Sequence, residues 1–427
     1  MRRRFWRFVA SIGIALLWLA VSAALAALWA RDLAGRLPGF YIVFVIAGIA
    51  LLPGYLLCAM FLSNLLHFRL PPLAGSYREP VTVLICARNE EAGIYEAVRH
   101  VAQQSYEGEL HILCVDNGSS DGTLAELRRA EAELCTPQRR VRILSCSEPG
   151  KARALNTGLP YVDTEYFITV DADTALDRDA VRQIISRIVE ENAACVAGNL
   201  LVRRADTWVQ RMQIYDYLIS IAAIKRYQGS YGATLVAQGA FSAYDTALVR
   251  QVGGWELCAG EDIVLTYRLM ALGRSSLYEA RALAYTEVPE RLRALCRQRV
   301  RWGRGMLEGL YAVAPWRQAG FFSGYFEALN LSVIFLDLAY VFGFLTGCAL
   351  LLLGLPWLVG WMTLLILPAV LISSASVYVF QRQLKGIRIE KSLSGALCFL
   401  LLFRALEAFC ALTGYVQAVL RWRLVWK

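Results

Sequence analysis

Asp171 and Asp173, separated by Ala172, stand directly after the run Phe167-Ile168-Thr169-Val170. Short apolar, β-branched runs of this kind form buried strands, and alternation along a strand would turn both carboxylates the same way. Two like charges at one strand end repel unless a cation lies between them. Hard oxygen donors suit Mg²⁺ or Mn²⁺, held by one or two carboxylates together with the phosphates of a ligand. Taken alone, the same residues also describe a strand followed by a solvated, Asp-rich turn.

Three further groups have matching positions. Asn89-Glu90 follows Val81-Thr82-Val83-Leu84-Ile85-Cys86, and Asp116-Asn117-Gly118-Ser119-Ser120-Asp121-Gly122-Thr123 follows His111 to Val115. Lys151, in Pro149-Gly150-Lys151-Ala152, follows Val141 to Leu144. Carboxylates accept from base N–H groups or sugar hydroxyls, and a lysine neutralises a diphosphate. The Asp116 loop also obeys ordinary turn chemistry, and a lone lysine is ordinarily a surface residue. Polar groups at four consecutive strand ends are harder to attribute to capping.

Two more constellations come later. In Gly260-Glu261-Asp262 the acids open the helical pattern Ile263 to Leu269. The helix dipole favours a carboxylate there, and so does the work of a general base. Gln298, Arg301 and Trp302 share one helical face. They suit either phosphate contact with stacking on a sugar ring or a basic amphipathic helix at a membrane interface.

The elements that must position these groups alternate between strand and helix from Val81 to about Pro315. Helices are expected over Asn89 to Gln104, Gly122 to Glu133 and Ala152 to Gly158. Such alternation implies a mostly parallel α/β sheet, which binds ligands beyond the carboxyl ends of its strands. Trp208, Met212, Tyr215 and Ile219 lie at helical spacing within Arg203 to Gln228, a stripe suited to a core or to a helix on a membrane surface.

The rest of the chain is not that of a soluble protein: 57% of its 427 residues are hydrophobic and only 19% charged. Val9 to Ala30 and Leu37 to Leu66 contain no charged residue, and each exceeds the ~20 residues that span a bilayer. Three more apolar runs follow: Phe321 to Leu353, Leu355 to Phe380 and Ser392 to Leu420. The expected frame is two spans before the α/β segment and about three after it. Four segments result: a transmembrane hairpin over 1–70, a catalytic domain over 71–290, an amphipathic segment over 291–320 and a membrane region over 321–427. The net charge of +9 concentrates beside the spans, in Arg2, Arg3, Arg4 and Arg7 and in the Arg421-Trp422-Arg423 tail. That distribution marks cytoplasmic ends and anionic lipid rather than nucleic acid. It places the N-terminus, the α/β segment and the basic loop Gln381 to Lys391 inside. A full fifth span would leave the basic tail outside, against the positive-inside rule; the alternative is a last run that bends or re-enters. Asp337 at membrane depth is expected to pair or to line a path. Eleven scattered cysteines and three histidines form no CxxC pair or Cys/His cluster, which argues against disulfide or zinc frameworks.

In order and spacing, Asp116, Lys151, Asp171-Ala172-Asp173, Gly260-Glu261-Asp262 and Gln298-Arg299-Val300-Arg301-Trp302 resemble the motifs of processive, membrane-embedded glycosyltransferases of family two. That family includes cellulose, hyaluronan, chitin-oligosaccharide and bacterial poly-N-acetylglucosamine synthases, the last being the most similar. The resemblance covers roughly Val81 to Leu310. It implies an α/β GT-A (Rossmann-like) catalytic domain on the cytoplasmic face of the bacterial inner membrane, with a UDP-sugar donor, a growing polysaccharide acceptor and Mg²⁺ or Mn²⁺. Glu90, Asp116, Lys151 and Asp171 would hold the nucleotide sugar, and Asp173, with Asp171, the metal. Asp262, beside Glu261, would be the base. Gln298, Arg301 and Trp302 would hold the acceptor, near Gln238 and Gly239.

The implied activity is inverting, processive β-transfer from UDP-N-acetylglucosamine, coupled to export. Single-sugar transfer to a lipid or short acceptor, or synthesis of a polymer such as a β-glucan, stand as alternatives. A catalytically silent scaffold would not need three acids in one cleft. The acidic motif reads Gly-Glu-Asp where the cellulose and poly-N-acetylglucosamine enzymes carry Thr-Glu-Asp, and Gln238 stands where many relatives carry Ser. No C-terminal cyclic-dinucleotide domain is expected, so regulation would come through a small membrane partner subunit.

Overall fold

The computed structural model describes residues 2–67, 70, 73, 75–359, 366–384, 387 and 392–420. Pro71-Pro72, Lys385, Arg388, Lys391 and the Arg421-Trp422-Arg423 tail, used above for the linker and the charge asymmetry, lie outside the described residues.

Two long helices open the chain, α1 (Arg2–Leu33) and α2 (Gly39–Leu66). The α/β segment then runs β1 (Val81–Ala87), α3 (Ile94–Ala102), β2 (Leu110–Asp116), α4 (Thr123–Leu134), β3 (Arg139–Ser145), α5 (Lys151–Gly158), β4 (Tyr166–Asp171), β5 (Thr174–Leu176) and α6 (Ala180–Glu191). It continues with β6 (Cys195–Val202), α7 (Trp208–Asp216), α8 (Ala223–Gly229), β7 (Phe241–Asp245), α9 (Thr246–Gln251), α10 (Glu261–Ala271), β8 (Ser276–Thr286) and α11 (Leu292–Ala312). Helices α12 (Phe321–Leu352), α13 (Ile366–Gln383) and α14 (Leu393–Val419) follow.

The eight strands form one sheet in the order β3-β2-β1-β4-β7-β6-β8-β5. Its first half is parallel, as the alternation predicts. Its second half is mixed, with β7 antiparallel to β4 and to β6, and β5 antiparallel to β8. β6 is parallel to β8, so β7 and β5 run against the other strands and the sheet is mixed but mostly parallel, as expected; the return of β7 is a direction that a local apolar pattern does not encode. Val83 and Ile85 join the core on one face, and Leu84 with Phe167, Tyr244 and Trp255 the core on the other. Both faces are covered, so these strands read as continuous apolar runs.

Chain order reverses at β1, with β2 and β3 on one side and β4 on the other. This is the switch point at which open α/β sheets bind ligands. The register aligns the strand ends: Ala87 pairs with Asp116, Asp116 with Ser145, and Cys86 with Asp171.

Among the described residues, four helices are long and apolar enough to cross a membrane: Arg4–Leu33, Gly39–Leu66, Phe321–Leu352 and Leu393–Val419. Two precede the α/β segment, as expected. Of the 355–380 run, residues 360–365 lie outside the described residues, and α13 begins at Ile366. The last run is one helical segment with an internal π turn at Phe399–Phe403. Asp337 is paired: Arg404 Nη2 lies 2.6 Å from its Oδ1 and the Tyr415 hydroxyl 2.7 Å from its Oδ2, with Glu407 on the other side of Arg404 at 3.1 Å. A buried ion network of this kind fixes α14 against α12. Gly303 and Gly414 bring α11 and α14 close, since β-carbons built there would meet the facing backbones at 2.8 Å and 2.3 Å.

Candidate active site

The loops at the carboxyl ends of β1, β2 and β3 are tied to one another. Asn89, with φ of 55°, accepts the Ser120 amide at 2.9 Å and donates its own amide to Ser119 at 3.1 Å. The Glu90 amide donates to Thr123 Oγ1 at 2.8 Å. The helix expected from Asn89 therefore starts at Ile94, because the intervening residues form the turn that carries Glu90. Asn117, buried, donates to the Glu148 carbonyl at 2.7 Å and accepts the Gly150 amide at 2.7 Å. Gly150 has φ of 146°, a conformation glycine tolerates, and it launches Lys151 as the first residue of α5. Asn117 is thus a positioning residue that the sequence did not single out. Its only signal was an asparagine inside an Asp/Gly-rich loop. Asp116, also buried, accepts the Ser119 amide at 3.3 Å.

The Asp171-Ala172-Asp173 segment departs from the alternation argument. Strand β4 ends at Asp171, and Ala172 and Asp173 form a turn into β5. The carboxylates still feel each other: burial, then the charge of Asp171, lifts Asp173 to about 6. Thr174 and Thr286 donate to Asp173 Oδ1 at 3.2 Å and 3.3 Å. Lys151 donates to Asp171 Oδ1. Burial opposes the Lys151 charge, but Asp171, Glu261 and Asp262 outweigh it and hold its pKa above the ordinary value. Across the cleft, burial and the charges of Asp173, Asp171 and Asp121 push Glu90 up to about 7. Beside it a hollow of about 540 Å³ is lined by Asn89, Glu90, Glu91, Ala92, Asp121 and Glu126.

Helix α10 brings the second acid group from the far side. Glu261 and Asp262 occupy its first turn, and burial followed by Asp262 raises Glu261 to about 7. Asp262 Oδ2 accepts the Gly239 amide at 3.4 Å, and Thr266, one turn on, accepts the Ala237 amide at 3.0 Å. The 237–239 loop is therefore laid along this helix. A β-carbon at Gly239 would lie 2.8 Å from Lys151 Nζ, so this loop closes against the strand-end groups. Gln238 gives its amide to the Gly198 and Phe241 carbonyls at 2.8 Å and 3.3 Å, which anchors the loop, while its Oε1 is buried without a partner. Lys225 on α8 is buried near Asp262; burial lowers its pKa to about 7 despite that carboxylate. Nothing in its local sequence marked it.

Gln298, Arg301 and Trp302 lie on α11, where Arg301 acts electrostatically on Glu261 and Trp302 is exposed at the surface. Gln298 Oε1 is buried and unpartnered. Arg299, between them, reaches the buried Asp216 at 2.5 Å and stacks 4.0 Å from the Trp302 ring centroid. It sets the orientation of that ring. The structure thus gathers Glu90, Asp116, Lys151, Asp171 and Asp173 at the strand ends, with Glu261, Asp262 and Gly239 facing them. Gln238 serves the loop.

Among the described residues no three His, Cys, Asp or Glu side chains cluster as a complete metal cage. Asp171 and Asp173 nevertheless suit a divalent ion that takes its remaining ligands from phosphate and water, since burial and the charge of Asp171 raise the cost of charging Asp173.

The mixed α/β sheet, with acids at its switch point and a helix-borne acid opposite, has the GT-A glycosyltransferase fold. Residues 79–305 match the profile described as glycosyltransferase like family 2, which is more than half of the chain. The chain belongs to that family. It is 30% identical over 229 residues to poly-beta-1,6-N-acetyl-D-glucosamine synthase of Staphylococcus aureus (strain COL), a match covering 53% of this chain and 54% of that protein. The Staphylococcus epidermidis protein of the same name is 30% identical over 233 residues, with the same shares covered. The chain thus spans about half the length of these relatives. In fold it is similar to the mannosyltransferase PcManGT of Pyrobaculum calidifontis, solved in complex with GDP-Man and Mn2+. The TM-score is 0.57 at 18% identity, covering 88% of this chain and 99% of that one.

Proposed function

We propose that this chain is an inverting, processive transferase that adds sugar from UDP-N-acetylglucosamine to a growing β-linked polysaccharide. It works from the cytoplasmic side of the bacterial inner membrane and passes the product outward. One observation carries the reading: Asp262 is held over the loop that closes on Lys151 and Asp171. A base and a donor-phosphate site thereby share one cleft. The names of the relatives support the choice of sugar.

Glu90 and Asp116 would accept from the base and ribose of the donor, and Lys151 would turn from Asp171 to the diphosphate. Asp171 and Asp173 would hold Mg²⁺ or Mn²⁺, which when bound neutralises charge on the diphosphate. Asp262 takes the proton of the acceptor hydroxyl as its oxygen bonds to the anomeric carbon. The bond from that carbon to the phosphate oxygen breaks with its electron pair on UDP, and because the acceptor oxygen enters from the face opposite UDP the configuration inverts. Trp302 offers a face for a sugar ring, and Gln298 and Arg301 polar contacts for the acceptor end.

Mass spectrometry of the product made from a mixture of UDP-sugars tests this directly. Polymer of one sugar is expected, and UDP with only free sugar would refute it. Asp262→Asn should abolish transfer while UDP binding, followed by calorimetry, persists; wild-type turnover in that variant would remove Asp262 from the mechanism.

A further inference from the structure

Gln298, Arg301, Gly305 and Glu308 follow one another on α11 at spacings of three, four and three residues, which sets them along one face. Gln298 and Arg301 form the acceptor half of that face. The other half is docked on the loop that leads into the base. A β-carbon on Gly305 would sit 2.7 Å from the Gly260 Cα, and one on Gly260 would sit 2.5 Å from the Gly305 Cα, so the two backbones touch. Beyond this contact, Glu308 Oε2 accepts two successive amides, Ala259 at 2.7 Å and Gly260 at 3.1 Å. Its Oε1 receives Arg304 Nε at 2.7 Å. Gly260 is the N-cap of α10 and brings no side chain of its own to hold this entry; Glu261 and Asp262 follow at once.

We infer that Glu308 is a positioning residue that registers Asp262 against the acceptor-holding side chains of α11. One helix then sets both the grip on the acceptor and the place of the base. The inference rests on the sugar-transfer reading of Asp262. A carboxylate suits the position because three donors converge on it, and bonds to a charged acceptor are the stronger ones. Arg304 balances its charge, so it adds little repulsion to Glu261 and Asp262. Proton removal depends on a base held within hydrogen-bond reach of the acceptor hydroxyl. Donor binding does not depend on it, because Glu90 follows β1, Asp116 ends β2 and Lys151 opens α5, none of which Glu308 holds.

The test uses the purified full chain with UDP-N-acetylglucosamine as probe. Glu308→Ala should lower kcat by tens to about a hundredfold, the loss associated with a misplaced catalytic group, and leave the donor KM unchanged. Glu308→Gln keeps an oxygen for both amides and should recover most of the rate. Hydrogen exchange of the peptide spanning residues 255–264 should quicken in the alanine variant and not in the glutamine one, with no sugar present. Wild-type kcat in Glu308→Ala, or a loss confined to donor KM, would overturn the inference. A wild-type chain that transfers from no UDP-sugar would overturn the functional reading instead, and the exchange difference would still decide whether Glu308 holds the loop.

Discussion

Replacing Arg299 by Met should produce a loss of stability whose size depends on pH in a specific way. Asp216 and Arg299 are buried together, with 0% and 4% of their side-chain surface exposed. Burial lifts the Asp216 carboxyl from 3.8 to about 6 although Arg299 pulls it down. A carboxyl raised in the folded state holds its proton more tightly there, so the native state loses stability as pH climbs from about 4. With Arg299 present the loss levels off above about 6, at roughly 3 kcal/mol. Without Arg299 the carboxyl stays protonated at pH 7, and the loss continues to rise through that pH. Charge therefore contributes on the order of 1 kcal/mol at pH 7, near zero at pH 5, and more above pH 7. Loss of the guanidinium stacked on Trp302 adds about 1–2 kcal/mol at every pH. Thermal unfolding of the full chain in detergent, followed by tryptophan fluorescence from pH 5 to 8, reads both parts. The double variant Arg299→Met/Asp216→Leu should remove the pH-dependent part, because no charge is left buried alone. A pH-independent difference between wild type and Arg299→Met would refute the reasoning, since Asp216 would then not be ionised against Arg299.

Glu261→Gln should also act through pH. The folded-state carboxyl is raised to about 7 from 4.5, so native stability falls as pH rises through that window. The variant should gain ~2 kcal/mol over wild type at pH 8 and nothing at pH 4, the full shift being discounted because the side chain borders the open cleft. Equal gains at both values in thermal unfolding would show that the charge is not the cause. Gly305→Ala forces a methyl group onto the Gly260 backbone, and overpacking of this kind costs about 1–3 kcal/mol. It should slow sugar transfer more than it weakens UDP binding; wild-type kcat, measured by UDP release, would show that the loop yields without moving Asp262.

The strand ends were legible because strand runs, turn residues and one-sided polar groups are local properties. Val81 to Cys86, His111 to Val115 and Phe167 to Val170 all lie within observed strands. Asn89 was misread as helical because helical pattern says nothing of the bonds it makes to Ser119 and Ser120, some thirty residues away. Asp173 was placed by strand alternation, yet the strand has already ended there and a turn places it. Lys225 and Glu308 lie outside every motif, and the roles of Arg299 and Asn117 within theirs are not encoded locally, for a common reason. Each acts through a partner distant in sequence, and its own neighbourhood reads as an ordinary helix or loop.

By itself the sequence determined the apolar spans, the acids at the strand ends and the order of the motifs, all of which follow from side-chain type and short-range spacing. Only the tertiary structure decided that β7 runs antiparallel and returns the 237–239 loop to Lys151. It alone decided that α10 meets that loop with Asp262, and that α11 is pinned to α10 through Gly305 and Glu308. Those contacts join residues twenty to ninety positions apart, and their cause is the close packing of backbones that no local pattern carries.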